Sequence, residues 1–170
     1  MMLKNNHFCI QCGSPLIKQL DNEKSLVPFC QTCQTFQYDP FNVAVSMILL
    51  NPKRDKVLLV KQYGLENFRL VAGYINKGDN ATECIKKELY EELKLDSLEM
   101  RYNDTAYFEP SNTLMINYIV TLSSEEVECN EEIDEAIWMT FDQAFKIIKP
   151  NSLAELFLRK FLLEEQHGNR

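Results

Sequence analysis

Glu88, Glu91 and Glu92 stand three and four residues apart within CIKKELYEELKL, the stretch from Cys84 to Leu95. On a helix that spacing brings all three carboxylates together. Fully exposed, such a group is a solvated acidic face whose pairs repel by roughly a few tenths of a kcal/mol. Beside an apolar stripe the repulsion grows and needs a counter-charge. Mg²⁺ or Mn²⁺, which take carboxylate and carbonyl oxygens, suit this donor set. The stripe is present, since Ile85, Leu89 and Leu93 recur at helical intervals with Glu88 and Glu92 along their edge.

A second constellation is built from thiols. Cys9, Cys12, Cys30 and Cys33 give C-x2-C, a gap of 17 residues and a second C-x2-C, the spacing of a zinc ribbon. Gly13-Ser14-Pro15 supplies the turn after the first pair. Four thiolates close a tetrahedron and leave no open position, which suits a structural Zn²⁺. A redox dithiol is the alternative, but such a motif opens a helix and no helical pattern follows either pair. His7 reads as surface, and Cys84 and Cys129 as ordinary small side chains.

Elements must position these groups. Asn80 followed by Glu83 forms a capping box, so the carboxylate helix is expected to start near Asn80 and reach Leu95. Further helices are expected over Phe141 to Ile148 and Leu153 to Glu165. On the last, Leu153, Leu156, Phe157, Lys160, Phe161 and Glu164 lie on neighbouring turns, with the sheet as the expected partner of the apolar ones. Val43 to Leu50 and Val57 to Gln62 flank the turn-rich NPKRDK and read as a hairpin. Phe68 to Ala72, ended by Gly73, then Leu114 to Leu122 and Ala136 to Met139 complete the expected strands. Mixed strands and helices in this order predict an α+β sandwich, residues 39–170, preceded by a zinc ribbon, residues 1–38, with YDPF at the junction.

Composition limits the partners. The chain has 170 residues, 45% hydrophobic, and 25 acidic against 18 basic side chains. That balance argues against a non-specific grip on nucleic acid, and a polyphosphate substrate would need cations to neutralise it. The longest apolar run, Ala44 to Leu50, has the length of a strand and not of a membrane span. With no signal-like segment at the N-terminus, a cytoplasmic setting is expected, where cysteines serve as metal ligands or buried thiols.

From Gly73 to Leu95 the chain resembles the Nudix box, G-x5-E-x7-R-E-U-x-E-E-x-G-U, with U an aliphatic residue. Gly73 matches the first glycine, Glu88 the glutamate after the arginine, Leu89 the aliphatic position, Glu91 and Glu92 the paired glutamates, and Leu95 the last position. Asp79, Lys87 and Lys94 stand where the box has glutamate, arginine and glycine. The ribbon, YDP, NEEIDEAIWM and SLAELFLRKFL extend the resemblance to the zinc-ribbon NADH pyrophosphatase branch, here as a short form.

The resemblance implies an α/β/α sandwich and Mg²⁺- or Mn²⁺-dependent hydrolysis of the pyrophosphate bond in a nucleoside diphosphate linked to another group. It implies Glu88, Glu92 and the carbonyl of Ala72 as ligands, Glu91 as holder of a water or acceptor of its proton, and Lys87 in the arginine's orienting role. A distal ligand comes from the acidic segment before the last strand: Glu132, with Glu131 and Glu135 as competitors. Asp79 and Lys87 together read as a paired change. Lys94 removes the usual left-handed stop and lets the helix run on to about Asp96. Tyr74, Tyr107 and Phe108 are the substrate-stacking candidates. Candidate substrates are NADH, NAD, ADP-ribose, dinucleoside polyphosphates and coenzyme A, because YFEPSNTLM lacks the NADH branch's Gln-Pro-Trp core. The family also implies a homodimer. Two further readings are a nucleotide-sensing module that binds without cutting, and a ribbon that contacts RNA or protein.

Overall fold

The computed structural model describes residues 7–168, with side chains as far as Glu165. Its contacts divide the chain into two units, Met1–Pro40 and Phe41–Arg170.

The first unit is an antiparallel sheet of β1 (Ile17–Leu20), β2 (Leu26–Cys30) and β3 (Thr35–Phe36) in that order. Every residue of β1 is exposed, so no apolar alternation marks this strand in the sequence. The small core is Cys9, Val27, Phe29 and Cys30, closed by an edge-on contact of Phe29 with Phe36 at 4.9 Å.

The second unit is a mixed sheet covered on both faces. Its strands are β4 (Asn42–Leu50), β5 (Val57–Gln62), β6 (Val71–Tyr74), β7 (Ser97–Phe108), β8 (Thr113–Leu122) and β9 (Ile133–Met139). They lie in the order β7-β8-β4-β5-β9, with β6 also paired to β4; β4 and β8 run parallel and the other pairs antiparallel. Strand alternation sends Val45, Met47 and Leu49 towards α1 (Ala81–Leu93), where they meet Ile85, Leu89 and Leu93. Ile48 and Leu50 face the other way, with Phe157, Leu158 and Phe161 of α3 (Leu153–Gly168) and Ala144 of α2 (Phe141–Ile147). The expected α/β/α sandwich is therefore observed.

A line of buried amides crosses the second face. Asn117 donates to Ser46 Oγ at 2.7 Å, and Asn103 donates to Asn117 Oδ1 at 2.8 Å and to the Phe157 carbonyl at 3.1 Å. It links β4, β8, β7 and α3.

Three expected element bounds need correction. The strand expected over Phe68 to Ala72 lies further on: Gly73 and Tyr74 pair with Val45 and Ala44, whereas Phe68 and Arg69 make only isolated bridges. The last strand begins at Ile133, not Ala136. The carboxylate helix does not run on to Asp96. It ends at Leu93, and Lys94 itself takes the left-handed conformation at φ 54°.

Lys94 N–H reaches the Tyr90 carbonyl, the bond of an αL closure, and Leu95 N–H reaches the Leu89 carbonyl, so that Leu95 packs on the core beside Leu89. Burial of Leu95 outweighs the strain on a lysine. Lys94→Gly is therefore expected to raise stability by about 0.5–1 kcal/mol, the strain relieved being partly offset by loss of the Lys94–Tyr90 cation–π contact. Denaturant midpoints measure it. At the other end Asn80 Oδ1 accepts from Glu83 N–H at 2.9 Å, while Thr82 Oγ1, not the Glu83 carboxylate, makes the second cap contact.

Candidate active site

The side chains of α1 are graded by depth. Glu92 lies inside, only 4% exposed; Glu88 is half-buried; Glu91 faces solvent. Burial and the charges of Glu88 and Glu132 push the Glu92 carboxyl up to about 7, against 4.5 for a free one. Burial, then Glu91, raises Glu88 in the same direction. Glu92 accepts from Gln62 Nε2 at 3.1 Å, and Gln62 is itself only 5% exposed.

Gly73 makes room for this arrangement. A Cβ built on it would stand 2.1 Å from Glu88 Oε1 and 2.5 Å from its Cγ, so the Glu88 side chain lies directly over the bare backbone of β6. Ala72 precedes it, and β6 pairs with β4 alone.

Glu132 comes from the turn before β9 and accepts a hydrogen bond from the Tyr63 hydroxyl. Its charge acts on both Glu88 and Glu92. Its competitors, exposed as Glu132 itself is, are placed differently: Glu135 pairs with Lys61 at 2.8 Å, and Glu131 is not among the charges acting on Glu88 and Glu92. Lys87 is exposed; its charge eases that of Glu88, and among the described residues no ion pair joins it to Asp79. The pairing expected of these two is therefore not formed.

Tyr74 lines an open cleft of about 570 Å³ with Phe41, Asn42, Val43, Ile75 and Asn76, one residue beyond Gly73 along β6. Tyr107 and Phe108 pair with Leu114 and Thr113, the neighbours of Val43 and Asn42, so all three aromatic candidates reach the same end of the sheet. The Tyr107 hydroxyl donates to Asn112 Oδ1.

The sequence did not mark Gln62 and Tyr63. Gln62 closes an apolar run, and only the glycine after Tyr63 hints at the turn there.

In the ribbon, the four Sγ atoms of Cys9, Cys12, Cys30 and Cys33 lie within 4.8 Å of one another, with Cys12 and Cys30 at 3.6 Å and Cys9 and Cys33 at 4.0 Å. A tetrahedron with Zn–S of about 2.3 Å has edges of roughly 3.8 Å. The residue after each knuckle, Gly13 or Gln34, has positive φ, and Cys33 N–H points at Cys30 Sγ at 3.4 Å. His7 stands outside this group, and the carboxylates form no cluster as close among the described residues.

A family model described as the NUDIX domain matches residues 40–161. The chain belongs to the Nudix family. A NAD-capped RNA hydrolase NudC of Pseudomonas aeruginosa is 26% identical over 162 residues, 94% of this chain and 56% of that protein. The NAD-capped RNA hydrolase ndx-9 of Caenorhabditis elegans is 27% identical over 141 residues, 79% of this chain and 37% of that protein. The chain spans about half the length of the curated NudC relatives it matches.

Among solved structures, a Nudix hydrolase from Nitrosomonas europaea superposes with a TM-score of 0.65 at 21% identity, covering 95% of this chain and 93% of that one. The Nudix domain of Shewanella oneidensis NrtR, solved with ADP ribose, gives 0.59 at 15% identity, covering 78% and 90%. Both likenesses speak to the Nudix fold. Among the described residues no helix is long and apolar enough to cross a membrane.

Proposed function

We propose that this Nudix protein hydrolyses the pyrophosphate bond of a nucleoside diphosphate linked to another group, of the NADH, NAD or ADP-ribose kind, with Mg²⁺ or Mn²⁺. The observation that carries the reading is the burial of Glu92 beside Glu88, with the charge of Glu132 close enough to act on both. Their oxygens are the hard donors such ions take. Glu88, Glu92, Glu132 and the Ala72 carbonyl would hold the ion, which when bound offsets phosphate charge and lowers the pKa of water.

The chain's own groups do the rest. Glu91, facing solvent beside that site, accepts the proton of the attacking water. Gly73 keeps the strand out of the way of Glu88. Lys87 adds one positive charge at the rim, in the orienting role. Tyr74, in the cleft, offers a ring face to a base; Tyr107 and Phe108, consecutive on β7, point to opposite faces of the sheet, so only one of the two can join it.

The names of the NudC relatives support an NAD-type diphosphate. The net charge of −7 weighs against a grip on a long RNA body, so the reading commits to the dinucleotide end. Incubation with Mg²⁺ or Mn²⁺ and NADH, NAD, ADP-ribose, a dinucleoside polyphosphate, coenzyme A and an NAD-capped oligonucleotide tests it. Mononucleotide products are expected. Binding throughout the panel without products favours a nucleotide sensor instead.

The thiol geometry supports a structural Zn²⁺ in the ribbon. Metal analysis of protein purified without chelator should find about one zinc per chain. Cys30→Ala, which removes a fully buried ligand, should lose it. A homodimer is proposed on family grounds, and light scattering decides it.

A further inference from the structure

The two carboxylates most remote in sequence, Glu92 on α1 and Glu132 before β9, are both held from one dipeptide at the end of β5. Gln62 donates to Glu92, and Tyr63 donates to Glu132 through its hydroxyl and, at 3.3 Å, through its backbone N–H to the Glu132 carbonyl. The dipeptide sits in a tight turn. Leu65 N–H closes on the Gln62 carbonyl at 3.1 Å, and Tyr63 and Gly64 have φ 57° and 67°, the signs of a type I′ turn.

That turn favours Asn, Asp or Gly at its first central position. A tyrosine there is strained, and its exposed ring gains little from packing, so the hydroxyl is what the position supplies. The turn is also fastened to β9, because Gly64 N–H donates to Asp134 Oδ2 at 2.7 Å. Just before it the β5–β9 register shifts at Lys61/Gln62. The irregularity lets consecutive residues serve a buried carboxylate and an exposed one.

We propose that Gln62 and Tyr63 are positioning residues that fix the separation of Glu92 and Glu132 and so set the affinity of the divalent-cation site. The inference rests on the metal-binding reading of those carboxylates. Partners that hydrogen-bond ligating carboxylates typically change metal affinity by about 10- to 100-fold when removed. Tyr63 tests it cleanly because the residue is exposed and Tyr63→Phe removes one oxygen.

The readout is Mn²⁺ binding followed by the loss of the free-ion electron paramagnetic resonance signal, with full-length wild type, Tyr63→Phe, Glu132→Gln and the double variant. Tyr63→Phe should weaken Mn²⁺ about tenfold, keep the melting temperature, and restore turnover to within about twofold of wild type at saturating Mn²⁺. In the Glu132→Gln background the same change should have no further effect on binding. Gln62→Met, read in the same way against Glu92→Gln, gives the second arm. Unchanged affinity in Tyr63→Phe, or an equal loss with Glu132 already removed, overturns the proposal. A wild type that binds no Mn²⁺ takes down the metal reading with it.

Discussion

Glu92→Gln should abolish most of the turnover while making the metal-free protein more stable. Losing a ligand worth several kcal/mol of charge stabilisation is expected to lower kcat/KM by about 10²–10³-fold. The stability gain follows from the raised carboxyl. The folded protein holds the Glu92 proton up to about pH 7, and the unfolded chain releases it near 4.5, so the wild type loses stability as pH rises between these values.

Above pH 7 the whole penalty is present, on the order of 2 kcal/mol once solvent near Glu88 and Glu91 is allowed for. Glutamine keeps the shape and the contact with Gln62 but never ionises. Its advantage in urea melts without divalent ions should be near zero below pH 4.5 and full above 7. A variant that retains Mg²⁺-dependent turnover, or gains nothing at pH 8, removes the basis of the functional reading.

Gly73→Ala is the second large effect, and it separates packing from chemistry. Gly73 has no positive φ, so alanine fits its backbone. What the new methyl meets is the Glu88 side chain, at distances no real contact tolerates. A half-buried glutamate can swing away at little cost, so stability should change by less than about 1 kcal/mol. The displaced carboxylate no longer stands where the strand and Glu92 place it. Turnover should fall by at least about tenfold, with a matching rise in the Mg²⁺ concentration needed for half activity. A large loss of stability with unchanged metal dependence would show that Gly73 serves the core alone.

The grouping of the three glutamates on one helix and of the four thiols in one cluster was legible because both arrangements need fixed spacing, and spacing survives in a bare sequence. The apolar stripe Ile85, Leu89, Leu93 and the strand Val43 to Leu50 were legible because burial imposes a period. Where burial is weak or the backbone irregular, the signal fails. β7 is the longest strand but shifts register twice, at Ser97/Glu99 and Tyr102/Asp104, which breaks its alternation, and much of it is exposed. Lys94 shows that a helix can stop without glycine when the next leucine has a core to enter. Gln62 and Tyr63 act through contacts with residues about thirty and seventy positions away, which no local pattern encodes.

The amide line Ser46–Asn117–Asn103 carries a consequence for how the chain finds its native alignment. Parallel neighbours β4 and β8 are far apart in sequence, and their many aliphatic side chains would tolerate several offsets. Sliding β8 by one residue would orphan donors and acceptors that no water reaches, at about 1–3 kcal/mol each. These few polar atoms thus act as a proofreading device, rejecting misaligned sheets that oily contacts alone would accept.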